Sequence, residues 1–319
     1  MKDPIKLKTI FMGTSLFAAD ILEVLLKNNY NIISVYTGAD KKSGPKKEIE
    51  KAAVKMLAEE KSLKIFEPKK FDEETIRELS AQEPDLIIVA AYGKILPGEV
   101  LRIPGFGALN VHPSLLPKYR GPSPLQNALL EGEDVTGTTI ILMDENVDTG
   151  DILFQEKIFI DPQDNYVTLL EKAANVSSEL LLKTLPLWVE RKITPQKQDE
   201  TQATNCQLIE RSDGRIIWTD SAVSVYNRAR AFSPWPGIFT YLEKNGTDLR
   251  LKLHKISLPE NMPPSNHKIG EVFKLNEDIA VMTGEGLIIL EEIQLEGKDK
   301  IGVKDFVNGY PEFIGSVLK

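Results

Sequence analysis

Four short and strongly apolar runs punctuate the first 112 residues: TIFM at 9–12, IISVY at 32–36, LIIVA at 86–90 and ALNV at 108–111. Runs of this length without polar alternation suit strands covered on both faces. Segments with helical spacing lie between them, namely FAADILEVLLKN after the first run, then 48–60 and 73–80. Ser15 stands where the first of these helices needs an N-cap. Strands alternating with helices imply parallel βαβ units and a doubly wound α/β sheet. Sheets of that kind hold their ligands beyond the carboxyl ends of their strands. After the first strand only Gly13 of a dinucleotide fingerprint is present. The absence of G-x-G-x-x-G disfavours a tightly held NAD.

The chain has 319 residues, long for one domain and comfortable for two. Strands are expected at 138–143 and 150–160, and an amphipathic helix over 166–189 closes a first domain, 1–189. Residues 190–202 (ERKITPQKQDETQ from 190) are polar, contain Pro195 and lack an apolar period, so they read as a linker. Over 203–319 a helix at 221–231 runs into a Pro-Trp-Pro-Gly turn. Short strands follow at 238–243, 249–256, 271–275, 279–283 and 286–294, a pattern that suits a small β-barrel.

A single cysteine, Cys206, rules out an intramolecular disulfide framework, and with three scattered histidines it argues against a dedicated zinc site. Cys206 reads as an inert packing residue. No apolar run approaches the ~20 residues that span a bilayer, and the first residues lack a signal-peptide pattern. The expected location is therefore the cytoplasm, with no membrane partner. A net charge of −8 argues against nonspecific nucleic-acid binding by the whole molecule. It leaves room for local basic surfaces, such as Lys41, Lys42, Lys46 and Lys47.

The chemistry concentrates in residues 109–151, LNVHPSLLPKYRGPSPLQNALLEGEDVTGTTIILMDENVDTGD. An amide (Asn110) and an imidazole (His112) stand at a strand end, and a carboxylate (Asp148) follows in Asp-Thr-Gly. Together they can polarise a carbonyl, move a proton and orient the ring. Alone, Asn-x-His is more simply a strand ending in a Pro-rich turn. The Asp-Thr-Gly after a second β-rich run favours a site.

On these motifs the chain resembles the methionyl-tRNA formyltransferase family of the folate-dependent formyltransferase superfamily. The resemblance runs nearly end to end: FMGTSLFA at the start, AAYGKILP at 90–97, NVHPSLLPKYRG at 110–121, TGTTIILMDENVDTGDIL at 136–153, DGRIIW at 213–218 and RARAFSPWPGIFT at 228–240. It implies a Rossmann-like catalytic domain followed by an OB-like, tRNA-binding barrel in a monomer. It also implies 10-formyltetrahydrofolate as co-substrate, no metal, and the α-amine of initiator methionyl-tRNA as acceptor. Asn110 and His112 would contact the formyl oxygen, while Asp148 would hold His112 and relay the amine's proton. Ser114, Leu115, Leu116 and Pro117 match the family's folate loop, whose exposed backbone groups would meet the pterin. Tyr92, Gly93, Leu96 and Val147 would supply other walls.

For tRNA, the resemblance points to the lysine loop (Lys41, Lys42, Lys46, Lys47) and to Arg228 and Arg230. The arginines could equally support a helix C-terminus. Two departures concern the acceptor. The loop lacks the arginine of the family's Arg-Gly-Lys-Lys, and lysine does not replace planar, bidentate phosphate recognition. Leu208 stands where a lysine is usual. Two alternatives stay open: a formyltransferase acting on an amino sugar nucleotide or other small amine, and a catalytically silent RNA-binding protein on the same scaffold.

Overall fold

The computed structural model describes residues 3–43, 48–261 and 266–319, which divide into two compact units. The first comprises residues through Leu125, Asp134–Ile160 and Leu169–Leu208; the second comprises Gln126–Glu133, Asp161–Thr168 and Ile209–Lys319. Residues 190–208 thus belong to the first unit, where strand-like bridges join Gln196 to Ile152 and Asn205 to Arg120.

In chain order the elements are β1 (Thr9–Gly13), α1 (Leu16–Lys27), β2 (Ile32–Tyr36), β3 (Lys41–Ser43), β4 (Glu48–Glu50), α2 (Ala53–Glu60), β5 (Ile65–Phe66) and α3 (Glu73–Ser80). There follow β6 (Leu86–Ala90), α4 (Gly98–Leu101), β7 (Ala108–His112), α5 (Pro124–Leu130), β8 (Val135–Leu142), β9 (Asp151–Phe159) and α6 (Tyr166–Val189). One seven-stranded sheet runs β5-β2-β1-β6-β7-β8-β9. The apolar runs are buried on both faces as their composition requires: β1, β6 and β7 have no exposed position. Ser15 caps α1, its hydroxyl accepting from the Ala18 N–H at 3.4 Å. That helix buries Phe17, Ala18, Ile21, Leu22 and Leu25.

The expected parallel βαβ units are present, and one expected helix needs correction. The sheet is parallel only from β5 through β7, and β8 and β9 join it antiparallel. The connection between β8 and β9 has no helix and is too short for a parallel crossover, which needs a dozen or more residues. The helix expected over 48–60 begins at Ala53, because Glu48–Glu50 pair with Lys41–Ser43 in a two-stranded antiparallel ribbon. Backbone groups engaged in that ribbon are not available to a helix. Lys41 and Lys42 therefore stand on β3, while Lys46 and Lys47 lie outside the described residues.

The second unit carries α7 (Ala222–Ala231), β10 (Ile238–Lys244), β11 (Thr247–Ser257), β12 (Val272–Leu275), β13 (Asp278–Met282), β14 (Leu287–Leu295), β15 (Ile301–Gly302) and α8 (Val303–Gly309). Its sheet is antiparallel, in the order β10-β11-β14-β13-β12 with β15 against β14. The fold is therefore a mixed Rossmann-like α/β sheet followed by an antiparallel sheet domain. Among the described residues no helix is long and apolar enough to cross a membrane.

Candidate active site

Strand β7 delivers two polar side chains to one face, because residues i and i+2 of a strand point the same way. They are Asn110 and His112, 9% and 4% exposed. The loop between β8 and β9 brings Asp148 against them. Its carboxylate accepts from Asn110 Nδ2 at 3.0 Å through Oδ1 and from the Gly121 N–H at 2.9 Å through Oδ2. Oδ2 also lies 3.5 Å from His112 Nδ1.

The imidazole's other nitrogen decides its tautomer. Nε2 donates to the Tyr119 carbonyl oxygen at 2.9 Å. A carbonyl oxygen only accepts, so Nε2 carries a proton, and in the neutral form of the ring Nδ1 is bare toward Asp148. Two acceptors do not bond each other; a proton delivered to Nδ1 would complete the pair. The same logic orients Asn110, since a carboxylate accepts and the amide must present its NH2 group. The second N–H of that group remains available to another acceptor.

The loop holding Asp148 is tightly constrained. Asp148 has φ +54°, in the left-handed region that short polar side chains tolerate best. Thr149 Oγ1 donates to Asp144 Oδ1 at 2.7 Å. At Gly150 a Cβ would lie 2.0 Å from the Leu142 carbonyl oxygen, so only glycine fits against the end of β8.

A cavity of about 360 Å³ opens beside this cluster, at the carboxyl ends of β6 and β7. Its size falls within the range of small-molecule sites. The structure brings Tyr92, Gly93, Leu96 and Val147 to its wall together with Asn110, His112 and Asp148. The Tyr92 ring also belongs to the core beneath, with Ile10, Met12 and Tyr36, and burial pushes its phenol pKa up. Lys94 lines the cavity as well, donates to the Pro68 carbonyl and has its pKa lowered by burial.

Ser114, Leu115, Leu116 and Pro117 do not line this cavity. The backbone groups expected to be exposed there are already engaged. The Leu116 N–H donates to Thr139 Oγ1, the Leu116 carbonyl accepts from Gln155 Nε2, and the Ser114 carbonyl accepts from Thr139 Oγ1. Antiparallel β8 and β9 supply both partners.

Sequence reasoning missed three contributors: the Tyr119 carbonyl, the Gly121 N–H and Gln198. Gln198 Nε2 donates to the carbonyls of Asp148 and Gly150, each at 2.8 Å. Its Oε1 accepts from Arg120 Nε at 3.0 Å and Nη2 at 2.8 Å. Arg120, 6% exposed, makes a two-pronged pair with Glu200 at 2.9 and 2.7 Å. This pairing lowers the Glu200 pKa. Nothing in the polar, aperiodic stretch 190–202 signals this role.

In the second unit, the two arginines at the end of α7 are engaged by protein groups. Arg228 Nη1 donates to the Asp213 carbonyl at 2.8 Å; Arg230 donates to Asn227 Oδ1 at 2.6 Å and to the Asp164 carbonyl at 3.1 Å. Leu208, in the first unit, is 70% exposed. Cys206 is buried, and burial pushes its thiol pKa up. Among the described residues, no group of three or more His, Cys, Asp or Glu side chains is arranged to hold a metal ion.

Residues 6–185 match the formyl transferase family model and 208–311 match that of the formyl transferase C-terminal domain. A methionyl-tRNA formyltransferase of Caldicellulosiruptor saccharolyticus is 42% identical over 313 residues, covering 97% of this chain and 99% of the relative. The chain belongs to the methionyl-tRNA formyltransferase family. A second such relative, from Caldanaerobacter subterraneus subsp. tengcongensis, is 38% identical, covering 98% of this chain and 100% of its own length. Solved structures share the fold at lower identity. An N-formyltransferase of Helicobacter canadensis, in complex with folinic acid and dTDP-3-aminofucose, has a TM-score of 0.66 at 19% identity, covering 89% of this chain and 98% of its own. HypX of Aquifex aeolicus, in complex with tetrahydrofolic acid, has a TM-score of 0.63 at 17% identity, covering 97% of this chain and 48% of its own.

Proposed function

We propose that the chain transfers the formyl group of 10-formyltetrahydrofolate to the α-amine of methionyl initiator tRNA, with the 360 Å³ cavity receiving the folate. The observation that carries this reading is the Asn110–His112–Asp148 cluster on the wall of that cavity, in a chain matched end to end by methionyl-tRNA formyltransferases. Apolar Leu96 and Val147 suit one face of a flat heteroaromatic ring, and Gly93 allows its close approach.

In the mechanism, the acceptor amine attacks the formyl carbon and the carbonyl oxygen becomes an oxyanion. Asn110 gives one N–H to Asp148 and the other to that oxygen. His112 receives the amine's proton at Nδ1, where Asp148 Oδ2 stabilises the imidazolium. The bond from the formyl carbon to the folate nitrogen then breaks, and His112 returns the proton to that nitrogen. One proton leaves the amine and one reaches the leaving group, so the ring ends as it began. No enzyme nucleophile is required: a free α-amine titrates near ~8, leaving a neutral fraction at pH 7.

A catalytic first unit, to which residues 190–208 also belong, and an OB-like second unit that helps to hold tRNA complete this reading. The enzyme works as a monomer in the cytoplasm. Lys41, Lys42, Lys46 and Lys47 attract the acceptor end through charge, and Arg228 and Arg230, each already bonded to protein groups, add phosphate contacts from the second unit. The discriminating experiment offers the purified protein initiator Met-tRNA, elongator Met-tRNA and an amino sugar nucleotide in parallel, each with 10-formyltetrahydrofolate. Formylation of the initiator is expected; turnover of the amino sugar alone would replace this reading with the small-amine one.

A further inference from the structure

The segment following α6 grips the site from two sides. On one side, Gln198 uses all four hydrogen-bonding positions of its amide. Both N–H groups go to carbonyls of the Asp148 turn, and the oxygen takes two N–H groups from Arg120. On the other side, Thr204 and Cys206 pair with the loop that carries Tyr119. The Tyr119 N–H donates to Thr204 Oγ1 at 2.8 Å, the Arg120 N–H to the Thr204 carbonyl at 2.9 Å, and the Cys206 N–H to the Arg120 carbonyl at 2.8 Å. Tyr119 in turn holds His112 Nε2. One strap thus fixes the acid partner through Gln198 and the ring through Tyr119, while touching neither reacting group with a side chain.

We propose that residues 196–206 act as a positioning strap for formyl transfer, with Gln198 setting the Asp148 carboxylate and the Arg120–Glu200 pair holding Gln198 in place. The proposal rests on the role assigned to Asp148 above. Asp148 needs such help because its left-handed backbone conformation is not the one an aspartate prefers. Gln198 ties down the carbonyls on both sides of Thr149 and so fixes the turn that aims the carboxylate. Glu200 sits at the surface, its side chain 69% exposed, and anchors a guanidinium that is 7% exposed. The chain places this anchor where substitution leaves the core untouched.

A displacement of about 1 Å at a reacting group can cost on the order of 100-fold in rate. Gln198→Met, which keeps the volume and removes all four bonds, is therefore expected to lower kcat by roughly 10- to 100-fold. KM for folate and for tRNA should change little, since Gln198 does not line the cavity. Combined with Asp148→Asn, Gln198→Met should cost almost nothing more, because the strap acts through that carboxylate. Glu200→Gln, which keeps an acceptor for Arg120 and removes only the charge, should give a smaller loss of kcat in the same direction in a protein that still folds, and it carries the test if Gln198→Met does not fold. Parental kcat in a folded Gln198→Met, or in Glu200→Gln when Gln198→Met does not fold, would overturn the strap. So would an equal loss with and without Asp148→Asn. Near-parental activity of Asp148→Asn alone would instead remove the Asp148 role on which the strap depends.

Discussion

Replacing Asp148 by asparagine changes one atom in the centre of the site and has a calculable consequence. The carboxylate accepts from Asn110 and Gly121 through separate oxygens and faces His112 Nδ1 at 3.5 Å. An amide offers only one accepting oxygen. If that oxygen stays on the Gly121 N–H, the new NH2 confronts the NH2 of Asn110, and Asn110 must flip or withdraw. Flipping turns its carbonyl toward position 148 and removes its N–H groups from the developing oxyanion. Loss of one such donor costs roughly 10²- to 10³-fold in kcat. The negative charge opposite the imidazolium is lost as well. At 3.5 Å and an effective dielectric of 20 that attraction is about 5 kcal/mol before desolvation is subtracted. The His112 and Asp148 side chains are only 5% and 12% exposed, so solvent screens little of it. The two effects overlap, and a fall in kcat of about 10³-fold is expected. Stability should drop by only ~1–3 kcal/mol, the penalty of one unmatched buried polar group. Single-turnover formylation of Met-tRNA beside a thermal melt measures both. Turnover within tenfold of the parent, in a folded variant, would refute the reasoning.

Further outcomes follow from the same contacts. Gly150→Ala puts a Cβ 2.0 Å from the Leu142 carbonyl oxygen; overpacking of this kind costs ~1–3 kcal/mol. Its melting temperature should fall and kcat should fall with it, because Asp148 is two residues away; parental values of both would contradict the tight fit. Burial raises the Cys206 pKa above its ordinary value of 9.0. The folded state therefore holds this proton longer than the unfolded chain, so the contribution is complete below pH 9 and is lost as pH rises further. Urea midpoints at pH 7.5 and pH 10 should show a smaller alkaline loss in Cys206→Ala than in the parent, and equal losses would exclude the thiol. Replacing Lys41, Lys42, Lys46 and Lys47 by alanine should flatten the salt dependence of tRNA binding by roughly 0.7–0.9 in log–log slope per phosphate contact removed. An unchanged slope would make the cluster a solvated face.

Much of the architecture was legible because it follows from local physical chemistry. The apolar runs at β1, β2, β6 and β7 required burial on both faces and received it, and Ser15 announced α1 by its hydroxyl. Strand orientation was less accessible. The composition of 138–143 suits either direction, and only the antiparallel pairing of β9 with β8 follows from their short helix-free connection, which carries Asp148. The pairing of Glu48–Glu50 with β3 escaped notice because Glu and Ile there satisfy a helical pattern equally well. Within the site, Asn110 and His112 were legible from their place at a strand end, where sheets of this kind hold their ligands. The long-range partners were not, since a carbonyl at Tyr119, an N–H at Gly121 and an amide at Gln198 carry no sequence signal of their own. Ser114–Pro117 illustrates the converse: the motif is plain in the sequence, but Thr139 and Gln155 engage its backbone groups.

The most direct test follows the formyl group itself. Purified enzyme would be mixed with 10-formyltetrahydrofolate labelled in the formyl carbon and with methionyl initiator tRNA, and the esterified methionine released and analysed. The account predicts label on the methionine α-nitrogen, one equivalent of tetrahydrofolate per label transferred, and loss of both when Asn110, His112 or Asp148 is replaced. Label that stays on folate, or transfer that survives all three replacements, would contradict it.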